Sequence, residues 1–155
     1  MQEENITIQD VINVKKHNKR KVDTKLIMKA YNFAEEKHHN QYRKSGESYI
    51  IHPLNVAYIL AQIGLDDNTI CAALLHDVVE DTDVTMMDVK KIFGKEIANL
   101  IDGVTKIGQI PFSSREEEQA ENIRKMLIAM ANDVRVIIIK LADRLNNMRT
   151  IGCMP

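Results

Sequence analysis

The sequence predicts an all-α fold, a bundle of about six to eight helices that forms a single domain over residues 1–155. Residues that break helices are scarce, with three prolines and six glycines in a chain of 155 residues. Apolar side chains return at intervals of three and four residues along most of the chain, which is the spacing of one helix face. The length is sufficient for one domain with a substantial core.

The composition indicates which partners the protein is expected to lack and in which cellular compartment it is expected to work. A net charge of −1 gives no reason to expect binding to nucleic acid or to a membrane surface. No segment is long and apolar enough to span a bilayer, and the polar start MQEENITIQD is unlike a signal peptide. The only cysteines, Cys71 and Cys153, are too few for a disulfide framework, so we expect a reducing cytoplasm.

The first half of the chain is predicted to contain two helices after a polar segment. Residues 1–22 carry a basic cluster and are expected to form a solvated arm or first helix. Asp23 is a suitable N-cap for a helix over residues 24–38. The polar loop that follows leads to Pro53, which suits the first position of a helix that stops at Gly64.

The centre of the chain contains its most apolar helix. Asp66 or Asp67 is expected to cap a helix over residues 68–81. This segment is apolar nearly all round its first three turns and so has no face suited to solvent. We therefore expect the helix to be central and buried.

Two helices are predicted directly after the central one. Thr85 and Asp88 form a variant of the capping box, which opens a short helix that ends at Gly94. A further helix is predicted over residues 95–107, where apolar positions again return with helical spacing.

The last part of the chain is predicted to contain two more helices. Ser113 or Ser114 is expected to cap a helix with a Glu-rich first turn that continues to about residue 131. The final helix is predicted over residues 134–149. Its start, VRVIIIKLA, is rich in β-branched residues and would also suit a buried strand, but the chain offers no second strand to pair with it.

Four residues from three apolar segments are candidates for a divalent-metal site: His52 in YIIHP, His76 and Asp77 in ALLHDVVEDT, and Asp143 in IKLADRL. Two imidazoles and two carboxylates suit a metal that binds water and phosphate oxygens. An unpaired carboxylate within an apolar helix is costly, so both aspartates need a nearby cation. Arg144 and Arg149 could supply the charge, but a metal is the simpler common answer. Each histidine is also compatible with a hydrogen-bonded core residue, and the residues alone leave both interpretations open.

Glu80 and Asp81 are candidates for activating water beside that site. Glu80 follows His76 by four positions and Asp77 by three, so it shares their helix face, and Asp81 follows Asp77 by four. A carboxylate that lies near a metal without being its ligand is suited to act as a general base. The alternative is an exposed acidic helix end, although acids there oppose the helix dipole.

Five polar residues are candidates for binding a phosphate-bearing substrate: Arg43, Lys44, Ser45, Asn147 and Thr150. The first three lie in the loop that leads to His52, where two cations and a hydroxyl suit phosphate oxygens. The last two follow Asp143 by four and seven positions, so they face the same way from one helix.

These residues and their surroundings resemble the HD-domain metal-dependent phosphohydrolases, and more closely the N-terminal hydrolase domain of long bifunctional RelA/SpoT-type alarmone enzymes. The resemblance is carried by the ordered segments YRKSGESYIIHPLNVA, ALLHDVVEDT, GVTKI and AENIRKMLIAMANDVRVIIIKLADRLNNMRT. It extends over about residues 10–155. It implies an HD helical bundle, truncated at its C-terminus, with synthetase and regulatory domains in the full-length chain. Asn146 and Ser48 depart from the His and Pro that are frequent at these positions.

The resemblance also implies a reaction, namely removal of the 3′-pyrophosphate of (p)ppGpp to give GDP or GTP and pyrophosphate. It implies a manganese ion held by the two histidines and two aspartates named above, with Glu80 and Asp81 orienting and activating the attacking water. Arg43, Lys44 and Ser45 would contact the guanine end of the nucleotide and nearby groups, and the two polar residues of the last helix would contact the nucleotide as well. The alternatives are an HD phosphohydrolase that acts on another nucleotide, such as NADPH, and a non-catalytic nucleotide-sensing module.

Overall fold

A computed structural model of the protein describes residues 6–18, 21–39, 48–108, 119–121, 123, 124, 127 and 133–151. The helices with defined bounds in this part of the chain are α1 Ile8–Asn18, α2 Thr24–Lys37, α3 Ile51–Gln62, α4 Asp67–Asp81, α5 Met86–Phe93, α6 Lys95–Gly108 and α7 Val134–Ile151. They confirm the all-α prediction. The described residues between 119 and 127 are helical too, whereas the expected caps Ser113 and Ser114 lie outside the described part. None of the described helices has the length and apolar character needed to cross a membrane.

Helix α4 lies at the centre of the bundle, as its apolar sequence predicts. It packs against α2, α3 and α6, and every residue from 69 to 78 is buried. Helix α3 also packs against α1 and α7, and α6 packs against α5 and α7. The start of α3, the end of α4 and the middle of α7 therefore approach one another.

Three helix starts follow the predicted capping chemistry. The side chain of Asp23 accepts a backbone N–H bond in the first turn of α2. The cap of α4 is Asp66, whose carboxylate accepts from the backbone N–H of Thr69 at 3.3 Å and from its hydroxyl at 2.6 Å. Thr85 and Asp88 make both hydrogen bonds of a capping box at the start of α5. These caps fix where the chain enters α2, α4 and α5.

Two helices differ from their predictions for identifiable reasons. Helix α3 begins at Ile51, two residues before Pro53. A proline is tolerated throughout a first turn, because the N–H groups there have no partner within the helix. Helix α1 is packed rather than solvated, since Val11 and Ile12 are fully buried on a face that the polar composition of the segment conceals.

A group of charges fixes the start of α7 against two other helices. The Arg135 guanidinium donates to Asp66 at 2.8 Å, to Glu96 at 3.0 Å and to Asp133 at 2.7 Å. Asp66 caps α4 and Glu96 lies in the first turn of α6. These four residues, called here the Arg135 cluster, therefore tie three helix starts together.

Candidate metal centre

The four side chains predicted as metal ligands meet where α3, α4 and α7 approach one another. His52 lies in the first turn of α3, His76 and Asp77 lie near the end of α4, and Asp143 lies in the middle of α7. One ring nitrogen or carboxylate oxygen from each lies within 4.8 Å of the others. All four residues are buried, with exposures between 3% and 8%. We call this group the four-residue centre.

A backbone hydrogen bond aims one ring nitrogen of His76 into the centre. Nδ1 lies 2.6 Å from the carbonyl oxygen of Ala73, which only accepts hydrogen bonds, so Nδ1 carries the proton of the neutral ring. Nε2 faces Asp77 Oδ1 at 3.3 Å and Asp143 Oδ1 at 3.4 Å. It is buried and makes no hydrogen bond with the described residues. An imidazole held in this way by a carbonyl is typical of metal-binding histidines.

His52 contacts one polar side chain through each ring nitrogen. Its Nε2 lies 2.5 Å from Asp143 Oδ1, and its Nδ1 lies 2.7 Å from the side-chain nitrogen of Asn146. Asn146 is only 1% exposed and follows Asp143 by three positions, so both side chains reach α3 from one face of α7. The sequence identifies Asn146 only as a departure from a family pattern, whereas the structure places it against a candidate ligand.

The charges of the centre are strongly coupled. Burial opposes ionisation of Asp143, but the hydrogen bond from His52 and the close approach of the His76 ring outweigh burial and hold the pKa of Asp143 well below its usual range. Burial likewise opposes protonation of His76, but the charges of Asp77 and Asp143 raise its pKa to about 9. The two carboxylates therefore favour a positive charge between them, which either a proton or a metal ion can supply.

The donor set fits a divalent metal better than it fits a structural ion pair. Two imidazole nitrogens and two carboxylate oxygens are ligands that suit a borderline or hard divalent ion. Among the described lysines and arginines, only Lys140 reaches an aspartate of the centre, with Nζ 3.2 Å from Asp143 Oδ2. A cation bound between the four side chains would balance both carboxylates and meet the nitrogen of His76 that has no hydrogen bond. Sequence reasoning missed Lys140, although it precedes Asp143 by three helical positions.

The two candidate water-activating residues, Glu80 and Asp81, are exposed at the end of α4. Partial burial and the charge of Asp77 raise the pKa of Glu80. Asp81 accepts a hydrogen bond from the Tyr49 hydroxyl at 2.7 Å, and the Tyr49 ring stacks on His38 with centroids 4.7 Å apart. Sequence reasoning missed Tyr49, because no helical spacing relates it to a residue on another element.

The candidate substrate-binding residues are described only in part. Asn147 is exposed on α7, one turn after Asp143. The backbone of Thr150 continues α7, but its side chain lies outside the described part. Arg43, Lys44 and Ser45 lie wholly outside the described residues, so their roles remain predictions.

Comparison with known proteins places this geometry in a family. A family model described as an HD domain matches residues 30–154. The chain is 58% identical over 125 residues to a guanosine-3′,5′-bis(diphosphate) 3′-pyrophosphohydrolase of Aquifex aeolicus, covering 81% of this chain and 18% of that protein. It is 52% identical over 130 residues to the bifunctional (p)ppGpp synthase/hydrolase SpoT of Escherichia coli, covering 84% of this chain and 18% of that protein.

A solved structure agrees with the relatives. The chain is similar to a metazoan ortholog of SpoT that hydrolyzes ppGpp, with a TM-score of 0.66 and 32% identity, covering 85% of this chain and 72% of that chain. The chain spans only 18% of the length of the two bacterial relatives. The family match nevertheless covers most of the chain and includes all four residues of the centre. The chain therefore belongs to the HD domain family, in its RelA/SpoT branch.

Proposed function

We propose that this domain hydrolyses the 3′-pyrophosphate of (p)ppGpp, releasing GDP or GTP and pyrophosphate, with manganese bound at the four-residue centre. The observation that carries the proposal is the buried centre itself, in which two carboxylates and two imidazoles converge from three helices. Two relatives that have this hydrolysis in their names share more than half of the matched residues with the chain.

The proposed ligands are the four residues of the centre, and the metal is manganese. Oxygen and imidazole ligands without a thiolate are compatible with manganese as well as with other divalent metals, so the choice of manganese rests on the resemblance to the RelA/SpoT-type hydrolases. When bound, a divalent ion supplies Lewis acidity toward phosphoryl oxygens and water. The hydrogen bond from His76 Nδ1 to the Ala73 carbonyl places the ring proton on Nδ1. The lone pair of Nε2 is therefore available to bind the metal.

Glu80 is the proposed general base, and Asp81 orients the attacking water with it. The raised pKa of Glu80 makes its carboxylate a stronger proton acceptor than an ordinary glutamate. Its position three residues after Asp77 places it on the helix face that bears the ligands. The hydrogen bond from Tyr49 holds Asp81 in one orientation, which supports a positioning role for Tyr49.

The nucleotide is proposed to lie across the exposed side of the centre. Asn147 supports this placement, because it is exposed on α7 one turn beyond Asp143. Arg43, Lys44 and Ser45 are proposed to contact the guanine end and nearby groups, and Thr150 to contact the nucleotide from α7. Synthetase and regulatory domains are proposed as further parts of the full-length protein; the greater length of the relatives and the word synthase in the name of one of them support this proposal.

The test is incubation of the purified chain with ppGpp and Mn²⁺, followed by chromatographic identification of the products. We expect GDP and pyrophosphate in equal amounts, and none after chelation of the metal. NADPH in a parallel incubation tests the other nucleotide class, and turnover of NADPH without turnover of ppGpp would contradict the proposed substrate. Binding of Mn²⁺ and nucleotide without any product would indicate a sensing module instead.

A further inference from the structure

We propose that Asn146 is a positioning residue that sets the tautomer of His52 by turning its side-chain amide. In the arrangement that readies His52 for a metal, the amide oxygen of Asn146 accepts a hydrogen bond from Nδ1, and Nε2 is free to bind. This inference rests on the metal site proposed above and assigns it a residue that is neither a ligand nor in contact with substrate.

The contact between the two side chains is buried and close. Asn146 is 1% exposed and His52 is 4% exposed. The side-chain nitrogen of Asn146 lies 2.7 Å from His52 Nδ1. On the opposite side of the ring, Nε2 lies 2.5 Å from Asp143 Oδ1. Both nitrogens of His52 are therefore engaged by neighbours that protrude from one face of α7.

The two neighbours place the ring proton on Nε2. An amide nitrogen only donates, so the Nδ1 atom facing Asn146 must accept. The single N–H of a neutral imidazole is then on Nε2, where it donates to Asp143. A metal ligand needs the opposite tautomer, with a lone pair on Nε2 and the proton on Nδ1.

A turn of the Asn146 amide supplies that tautomer without rebuilding the site. The oxygen and nitrogen of an amide are nearly equal in size, so a half-turn about the last side-chain bond exchanges them within the same space. The oxygen then faces Nδ1 and stabilises a proton there. The exchange changes no net charge, so it adds no charge to a site whose residues are all buried.

The Nδ1 partner of His76 differs from that of His52, because it is a backbone carbonyl rather than a side-chain amide. His76 Nδ1 faces the Ala73 carbonyl, which can only accept, so the tautomer that frees Nε2 is fixed. His52 faces a group that donates from one end and accepts from the other. The centre therefore contains one histidine with a fixed tautomer and one whose tautomer follows the amide of Asn146.

The experiment measures Mn²⁺ affinity by titration calorimetry in wild type, Asn146→Leu, Asn146→His and Met148→Leu. Asn146→Leu removes the acceptor while keeping similar volume, and we expect it to weaken Mn²⁺ binding by roughly 10–100-fold. Asn146→His restores a side chain that donates or accepts and is expected to bind Mn²⁺ within about threefold of wild type. Met148→Leu alters an exposed position of the same helix and is expected to leave Mn²⁺ affinity unchanged.

Ring ¹⁵N chemical shifts of His52 report the tautomer directly, in mildly alkaline buffer with and without Zn²⁺ as a diamagnetic ion. In wild type we expect the proton on Nε2 without the ion and on Nδ1 with it. The same tautomer under both conditions would overturn the proposal, as would wild-type Mn²⁺ affinity in Asn146→Leu. If Asn146→Leu fails to fold, Asn146→His and the wild-type spectra decide the question. Wild type that binds no divalent ion would overturn the metal site as well, whereas a bound ion with an unmoved proton overturns only the role of Asn146.

Discussion

The four-residue centre and the Arg135 cluster both join three parts of the chain, yet they balance their charges in different ways. In the Arg135 cluster, one guanidinium donates to three carboxylates at distances of 2.7–3.0 Å, and its side chain keeps 23% exposure. In the four-residue centre, both carboxylates are more deeply buried. Lys140 pairs with only one of them, and Nε2 of His76 has no hydrogen bond among the described residues.

This difference is the one expected between a structural cluster and a site that binds a cation. Charge-assisted hydrogen bonds satisfy each carboxylate of the Arg135 cluster, so this cluster is complete within the protein. Buried carboxylates without a full set of protein partners are costly to folding. A fold that retains them is therefore expected to use them for binding a cation.

The largest expected effect comes from Asp143→Asn, which removes the carboxylate that contacts both histidines of the centre. We expect loss of stoichiometric Mn²⁺ binding and hydrolysis of ppGpp reduced to the rate seen with chelator. Even residues that only support metal ligands alter affinity by about 10–100-fold, and a ligand should matter more. Elemental analysis and product chromatography measure both quantities. Asp133→Asn, in the Arg135 cluster, is the matched control, and equal Mn²⁺ content in the two variants would remove Asp143 from the ligand set.

Glu80→Gln tests the chemistry beside the centre rather than the centre itself. We expect the variant to retain Mn²⁺ and fold normally but to hydrolyse ppGpp about 10²–10⁴-fold more slowly, because an amide cannot accept the proton of the attacking water. Turnover under saturating Mn²⁺ is the measurement. Asp83→Asn changes an exposed acid just beyond α4 and is expected to retain wild-type turnover. Equal turnover in wild type and Glu80→Gln would exclude Glu80 as the base.

Arg135→Met should have the opposite profile, because it breaks the structural cluster and leaves the centre intact. Removing the guanidinium leaves three carboxylates without their donor, and we expect the free energy of unfolding to fall by about 1–3 kcal/mol. Urea titration measures this change, and Mn²⁺ stoichiometry in the folded variant is expected to be unchanged. Arg124→Met is the control, since Arg124 makes one exposed ion pair with Glu121 at 3.7 Å. Loss of Mn²⁺ binding in folded Arg135→Met would show that the two clusters are coupled.

The sequence was sufficient for most of the fold because the relevant signals are local. Caps at Asp23 and Thr85 depend on residues three positions away, and the central position of α4 follows from its uniform apolarity. Lys15 shows where local signals fail. It belongs to the basic cluster expected in solvent, yet it is 1% exposed and its Nζ donates to the Leu65 carbonyl at 2.6 Å and pairs with Asp67 at 3.0 Å. Such pairing depends on contacts between α1 and the turn before α4, which no spacing rule reports.

The residues of the candidate site likewise fall into those that local motifs reveal and those that only tertiary contacts reveal. The four candidate ligand residues are recognisable because their types and motifs are distinctive, and the structure brings all four together. Two residues that contact the candidate site were missed or left without a role, since Tyr49 meets Asp81 and Asn146 meets His52 only through tertiary contacts. A hydrogen bond between residues on different helices leaves no periodic trace in the sequence. Side chains that position a site are therefore the part that most needs coordinates.

The smallest expected effect concerns the pH dependence of stability in the Arg135 cluster. Burial opposes ionisation of Asp66, but hydrogen bonds from Thr69 and the charge of Arg135 outweigh it, and the pKa of Asp66 is lowered. A hydrogen bond from Arg135 likewise lowers the pKa of Asp133. A carboxyl group whose pKa is lower in the folded state stabilises the fold above its unfolded pKa, and this stabilisation is lost as the pH falls through the lower value.

Wild type should therefore lose stability faster than Arg135→Met as the pH falls below about 4, the ordinary range of aspartate. Because both carboxylates are partly exposed and screened by solvent, the difference in slope is expected to amount to at most about 1 kcal/mol over the acid range. Urea titrations at a series of acid pH values measure it, with Arg124→Met expected to follow wild type. Parallel pH profiles for wild type and Arg135→Met would mean that Arg135 does not set these pKa values. The stability of the cluster would then depend on the geometry of its hydrogen bonds rather than on charge. The cluster and the four-residue centre would differ in how their side chains are packed, and not in how their charges are balanced.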